Sequence, residues 1–269
     1  MKRIILVARP RSGTHLLREL LGQVPGLWCF GEIFHNDPTQ GDYLYWPYYA
    51  RRLAEQPELA WKKHTHMVEL WNGYCNFLAQ QAQAQQAGAT RYLATVNYNS
   101  LHSLDSCWRN LYDPPTFFKA ANTADTSVIH LVRANVLRTL VSELRARQSG
   151  VWHLHANDHN TRIGAVHVDT RNLLKELETR ELEITTVRRW LQGFGQQLEL
   201  QYESLLAEGG NGLHPAVSVQ LAKFLGCASS DFASPKLRRT AGSSLEQDVI
   251  NFEEVCNILR GTRFESFLI

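Results

Sequence analysis

The sequence predicts an α/β fold, a central parallel sheet flanked by helices, and three observations carry that prediction. Residues Ile4 to Ala8 are a short apolar run without alternation, the pattern of a strand buried on both faces. The same order of strand, tight loop and helix occurs twice, at the start of the chain and again from Thr126. The chain has 269 residues, enough for one large α/β domain and short for two independent ones. A single domain over 1–269 is therefore expected.

The elements follow in order. After the first strand, Arg9-Pro10-Arg11-Ser12-Gly13 is turn chemistry, and Thr14 to Gln23 has helical apolar spacing. Residues Gly41 to Trp61 are dense in Tyr and Trp, and His64 to Gln86 reads as a long helix. Tyr92 to Tyr98 is a further strand. Ser127 to Val132 reads as a strand, Arg133 to Asn135 as its loop, and Val136 to Arg147 as a helix. Arg171 to Leu177 and Ile184 to Gly193 read as two helices and Leu198 to Tyr202 as a short strand. Ala216 to Leu225 is a helix that Gly226 stops, and Phe252 to Leu259 is the last.

Composition narrows the partners. With 28 basic and 26 acidic residues the net charge is +2, so no global field favours nucleic acid, although a local basic cluster suits a compact anion. The five cysteines, Cys29, Cys75, Cys107, Cys227 and Cys256, are widely spaced and resemble neither a disulfide framework nor a metal site, which points to a reducing compartment. Only Met1, Lys2 and Arg3 precede the first apolar run, leaving no room for a signal peptide. No integral membrane segment is expected, and a cytoplasmic location is.

The loop at Arg11-Ser12-Gly13-Thr14 joins a buried strand to a helix. Backbone N–H groups and the helix dipole suit phosphate or sulfate there, and the loop adds a guanidinium, two hydroxyls and a residue without Cβ. It is not a Walker A loop, because no lysine precedes Thr14. Taken alone, the four residues favour a plain N-capped helix start. A second site changes the balance. Arg133 sits just past a strand end, and Ser142 lies nine positions on, inside the helix. Two anion-binding strand ends in one sheet call for a ligand with phosphates at two ends, such as a nucleoside 3′,5′-bisphosphate. The plainer reading is a surface arginine and a helix serine bonded back to its own carbonyl.

These segments resemble the PAPS-dependent sulfotransferases. RPRSGTHLL is similar to their 5′-phosphosulfate loop, and HLVRANVLRTLVSELRARQSGVW to their 3′-phosphate segment. The bacterial carbohydrate enzymes, of the trehalose and nodulation-factor types, are the most similar, down to the Arg133-to-Ser142 spacing. Phe30-Gly31-Glu32-Ile33-Phe34, Tyr202-Glu203-Ser204-Leu205-Leu206, Phe224 to Gly226 and Asn251 to Leu268 continue the resemblance. It is weakest at about residues 36–90, a variable, mostly helical segment where an acceptor pocket would differ.

The resemblance implies a P-loop-like three-layer fold and PAPS (3′-phosphoadenosine 5′-phosphosulfate) as sulfuryl donor, with no metal required. Arg11 would bridge the sulfuryl group and 5′-phosphate; Ser12, Gly13, Thr14 and His15 would cradle it. Arg133 and Ser142 would hold the 3′-phosphate. Arg238 and Arg239 lie where relatives bring a basic loop back onto the nucleotide, or else form a solvated turn. Tyr202 or Trp152 would pack against adenine, unless each is a core aromatic.

Sulfuryl transfer needs a base and donors aimed at the sulfonate. Glu32 is the first candidate base, the alternative being a carboxylate paired to Arg9 or Arg11 for structure; His35 is the second and His15 the third. Several relatives carry a lysine where Thr95 stands, so Arg11 carries the electrophilic work here, or Lys119 enters from another direction. His153, His155 and His159 have an HxHxxxH spacing, but a polar loop near the acceptor site is the expected reading over a metal site. Two other functions stay open: a P-loop nucleotide kinase without its Walker lysine, and a non-catalytic nucleotide-binding protein. The aromatic spans Tyr43 to Tyr49 and Trp61 to Trp71 suit stacking on sugar rings or on a hydrophobic natural product, and the resemblance favours a carbohydrate or glycoconjugate hydroxyl over an amine. A homodimer is left open.

Overall fold

The computed structural model describes residues 1–110, 112–150, 164–207, 212–232 and 244–269. Among them, strands β1 (Lys2–Ala8), β2 (Leu27–Glu32), β3 (Arg91–Asn97), β4 (Thr126–Val132) and β5 (Gln197–Gln201) form one sheet in the order β2-β3-β1-β4-β5. Every neighbouring pair is parallel. The helices are α1 (Thr14–Leu21), α2 (Tyr45–Glu55), α3 (His64–Gln85), α4 (Thr116–Ala121), α5 (Val136–Ser149), α6 (Leu173–Leu191), α7 (Pro215–Leu225), α8 (Leu245–Asp248) and α9 (Phe252–Leu259). None of them is long and apolar enough to cross a membrane.

Burial on both faces explains the unbroken apolar runs of the strands. Ile4, Leu6, Leu93, Ile129 and Leu131 point to one face, where Leu17 and Leu21 of α1 and Val217 and Leu221 of α7 cover them. Ile5, Val7, Ala94, Val96, Val128 and Val132 point to the other, under residues of α3, α4, α5, α6 and α9. The chain runs from central β1 to the β2 edge, returns to β3, and only then crosses to β4. Loops after β1, β3 and β4 therefore open around one strand, at the switch point where parallel sheets form a crevice.

One helical expectation is corrected. The helices read at 171–177 and 184–193 are a single helix, α6. No Gly or Pro interrupts 178–183, and Arg180, buried in the middle, is tied to Glu176 one turn back and to Glu143 of α5. Other boundaries shift by a residue or two. The first helix ends at Leu21, and Tyr202 lies just beyond β5 rather than inside it. Gly226 closes α7 at φ 67°, as its position suggests.

Candidate functional site

The loop after β1 has an unusual backbone. Arg11 sits at φ 68° and Gly13 at φ 91°, both left-handed, and the Ser12 N–H between them donates to the Arg9 carbonyl oxygen over 3.3 Å. A left-handed arginine costs about 1–2 kcal/mol, a strain found where geometry serves a ligand. Gly13 occupies the N-cap of α1 with no side-chain capping bond, so the plain N-capped helix start is not what forms. Glycine is required twice over here, because a Cβ would stand 2.3 Å from Cδ2 of the Tyr202 ring.

The second segment meets this loop. The Nε of Arg11 donates to Oγ of Ser142 over 3.0 Å, and Arg133 donates to the carbonyl oxygen of Arg11 over 3.1 Å. The Arg133 guanidinium lies 4.8 Å above the Tyr202 ring, whose edge abuts Gly13. Arg11, Gly13, Arg133, Ser142 and Tyr202 thus converge from three strand ends. Burial and the neighbouring charge of Arg133 push the Arg11 guanidinium below its ordinary pKa, against the pull of Tyr202, Glu143 and Glu32. Two guanidinium groups held this close favour an anion between them. Ser142 bonds to Arg11 and not to its own helix, so the helix-serine alternative does not form.

Ser12 and Thr14 are buried in the same loop and first turn. His15 follows them. Its Nδ1 accepts from Arg18 over 3.0 Å, which leaves its proton on Nε2 when the ring is neutral. His35 is arranged the same way, Nδ1 accepting from the backbone N–H of Asp37 over 3.1 Å. Both rings in their neutral form therefore present a donor, not a lone pair, at Nε2.

Glu32 is the last residue of β2, half-buried and in register with Thr95 of β3. It lies close enough to Arg11 to favour that guanidinium's charge. Of the two arginines considered as its structural partner, Arg9 pairs with Glu183 and, at 3.9 Å, with Glu143. Lys119 does not approach the crevice. It lies on α4 with Asp113 at 3.4 Å, three residues before Asn122, which donates to Gly193 near the opposite edge of the sheet. Trp152, His153, His155, His159, Arg238 and Arg239 lie outside the described residues.

Several residues with clear roles carry no sequence signal of their own. Glu203 accepts from the backbone N–H groups of Ala134 and Asn135, each over 3.1 Å. Asn135 caps α5 by accepting from the Arg138 N–H over 2.9 Å and donates its amide to Phe267 over 2.8 Å. The amides after β4 are thus satisfied internally, and an anion there falls to the side chain of Arg133. Glu143 gathers Arg9, Arg147 and Arg180 beside Ser142. Several of these contacts join residues 68 to 132 positions apart, beyond the reach of a local sequence pattern.

The model of the Stf0 sulphotransferases matches residues 3–208. The chain belongs to that family. Sulfuryl transfer is accordingly its class of reaction, and the kinase reading falls away. No curated protein matches the chain. Among solved structures it is similar to the sulfotransferase domain from the curacin biosynthetic pathway, with 15% identity and a TM-score of 0.47 over 91% of this chain and 81% of that one.

Burial separates the rings of the aromatic spans after β2. Tyr45 and Trp71 are fully enclosed and Tyr48 nearly so; Tyr45 packs edge-on against Phe34 and Tyr74, and Trp71 against Phe117. These side chains are core and not a stacking surface. Trp61 is 64% exposed, and Tyr43, Trp46 and Tyr49 are half-buried.

Proposed function

We propose that this sulphotransferase moves a sulfuryl group from PAPS to a hydroxyl of a carbohydrate or glycoconjugate, with Glu32 as general base. The observation that carries the donor assignment is the convergence of Arg11 and Gly13 from the β1 loop with Arg133, Ser142 and Tyr202 from the β4 and β5 ends. A nucleotide with phosphates at two positions matches two guanidinium groups from two strand ends. When bound, PAPS supplies an activated sulfonate with a good leaving group.

The chain's own residues do the rest. The left-handed loop and the N-terminus of α1 present N–H groups to the 5′ phosphosulfate, and Arg11 offsets the charge that builds on its bridging oxygen. Arg133 holds the 3′-phosphate, and the Tyr202 ring beside it fixes where that guanidinium points. Glu32, at the next-but-one strand end, takes the proton of the acceptor hydroxyl. His35 and His15 are weaker candidates because their lone pairs at Nδ1 already accept hydrogen bonds. The carbohydrate acceptor is supported by the resemblance of RPRSGTHLL and of the Arg133–Ser142 spacing to the bacterial carbohydrate enzymes.

Calorimetry with adenosine 3′,5′-bisphosphate, without added metal, tests the donor assignment. Micromolar or tighter binding that Arg133→Ala weakens at least tenfold is expected. Absence of binding to the wild type would overturn the proposal.

A further inference from the structure

The turn that carries Arg133 is held by a residue from the neighbouring strand end. Strands β4 and β5 pair in register up to Val132 and Gln201, so Arg133 to Asn135 and Tyr202 to Ser204 leave the sheet side by side. Tyr202 lies under the Arg133 guanidinium, 4.8 Å from it. The next residue, Glu203, gives one carboxylate oxygen to each of the two amides that follow Arg133. Its Oε2 accepts from Ala134 and its Oε1 from Asn135, each over 3.1 Å. On its other side the turn is tied to residues 267–269. Asn135 donates its side-chain amide to the Phe267 carbonyl oxygen over 2.8 Å, and Arg138 donates to an oxygen of Ile269 over 3.2 Å.

Carboxylates as exposed as Glu203 normally point into water. Two successive backbone N–H groups form a concavity suited to an anion, and here the chain fills it with its own carboxylate. Electrostatics opposes that choice, because a negative charge next to a 3′-phosphate site repels the phosphate. Its presence needs a reason other than charge, and the geometry supplies one. The turn sets two ligand contacts at once: Arg133 precedes the clamped amides, and α5, which carries Ser142, begins directly after them. Ser142 in turn accepts from Arg11 of the first loop.

We infer that Glu203 is a positioning residue for recognition of the 3′-phosphate, an inference that rests on the donor assignment above. Its carboxylate clamps the amides of Ala134 and Asn135 and fixes the turn. The Arg133 guanidinium is thereby held between the Tyr202 ring and the carbonyl oxygen of Arg11. Glu203 touches no substrate and exchanges no proton. With the amides taken, the phosphate is left to the guanidinium and hydroxyl side chains. These distinguish a 3′-phosphate from a bare 3′-hydroxyl only while their positions are fixed.

Charge and position give opposite signs, which makes the test sharp. Affinities for adenosine 3′,5′-bisphosphate and for adenosine 5′-monophosphate, which lacks the 3′-phosphate, are measured by calorimetry. The proteins are the wild type, Glu203→Ala, Glu203→Gln, Arg133→Ala and the double variant of Arg133→Ala with Glu203→Ala. Glu203→Ala is expected to weaken bisphosphate binding at least about fivefold and to leave the monophosphate within about twofold. Glu203→Gln keeps one acceptor oxygen, so a loss of about two- to fivefold is expected, and it decides the matter if the alanine variant unfolds. Adding Glu203→Ala to Arg133→Ala is expected to weaken binding by no more than about twofold further, since the carboxylate acts through that arginine. Unchanged or tighter bisphosphate binding in either folded variant overturns the inference and leaves the donor assignment standing. An equal loss for both nucleotides overturns it too, because the turn then serves only the fold. A wild type that binds the two nucleotides equally removes the 3′-phosphate assignment and the inference together.

Discussion

The crevice around β1 and the aromatic segment after β2 both stand out in the sequence, yet they turn out to be built on opposite principles. The crevice is made of strained backbone and converging arginines, arrangements that cost stability unless something binds. The aromatic segment is close-packed: Tyr45, Trp71 and Tyr74 interlock with Phe34 and Phe117 and leave no open ring face among themselves. Aromatic density is a sign of burial before it is a sign of recognition, because a ring contributes more apolar area than any other side chain. A strained loop beside converging charges is the better mark of a site.

The comparison is sharpened first at Glu32. Glu32→Gln is expected to lower turnover by about 100- to 10,000-fold, the range for loss of a general base, while leaving bisphosphate affinity within about twofold. PAP release in the presence of a carbohydrate acceptor, beside calorimetry of the same variant, measures both. Turnover kept within threefold would transfer the base role elsewhere.

At the aromatic segment the expected effect is on folding. Trp71→Ala should cost about 3–5 kcal/mol by denaturant unfolding, since it empties a fully enclosed site. Trp61→Ala, at an exposed position, should change stability by less than about 0.5 kcal/mol. Equal effects would erase the distinction between core and surface drawn here.

The smallest effect lies at the other side of the sheet, in a polar chain on β4 and β5. His130 of β4 bonds Tyr98 through Nε2 over 2.5 Å and Glu199 through Nδ1 over 3.0 Å, and Arg188 donates twice to Glu199, each over 2.8 Å. The His130 hydrogen bond first, and the Arg188 hydrogen bond after it, hold the Glu199 carboxyl down to about 2, against an ordinary 4.5. A depressed carboxylate stabilises the fold above its unfolded pKa and loses that contribution as pH falls through the folded value. The Tm difference between wild type and Glu199→Gln should therefore be full above pH 4.5 and shrink steadily toward pH 2. A difference independent of pH would show that the carboxylate charge contributes nothing.

Much of the architecture was legible because it is local. The apolar runs at Ile4 to Ala8 and Val128 to Val132, each followed by turn chemistry and an amphipathic helix, need only nearest neighbours to be read. The candidate donor residues Arg11, Gly13, Arg133 and Ser142 could be named for the same reason, since each sits at a fixed offset from a strand end. Tyr202 against Gly13 and Glu203 under Asn135 could not, because their partners come from distant strand ends.

By itself, then, the sequence determined a parallel α/β sheet, two anion-suited strand ends and a carboxylate that follows the first helix. Periodicity and turn chemistry encode those features within a dozen residues. Only the tertiary structure decided that the two strand ends share one crevice, that Tyr45, Tyr48 and Trp71 are interior, and that Thr95 and Asn97 are buried without partners. Each of these depends on strand order: β3 inserts beside β1, and β4 closes on its other side. Which segments become neighbours is settled by how the whole chain buries its apolar surface, and no short stretch of sequence contains that information.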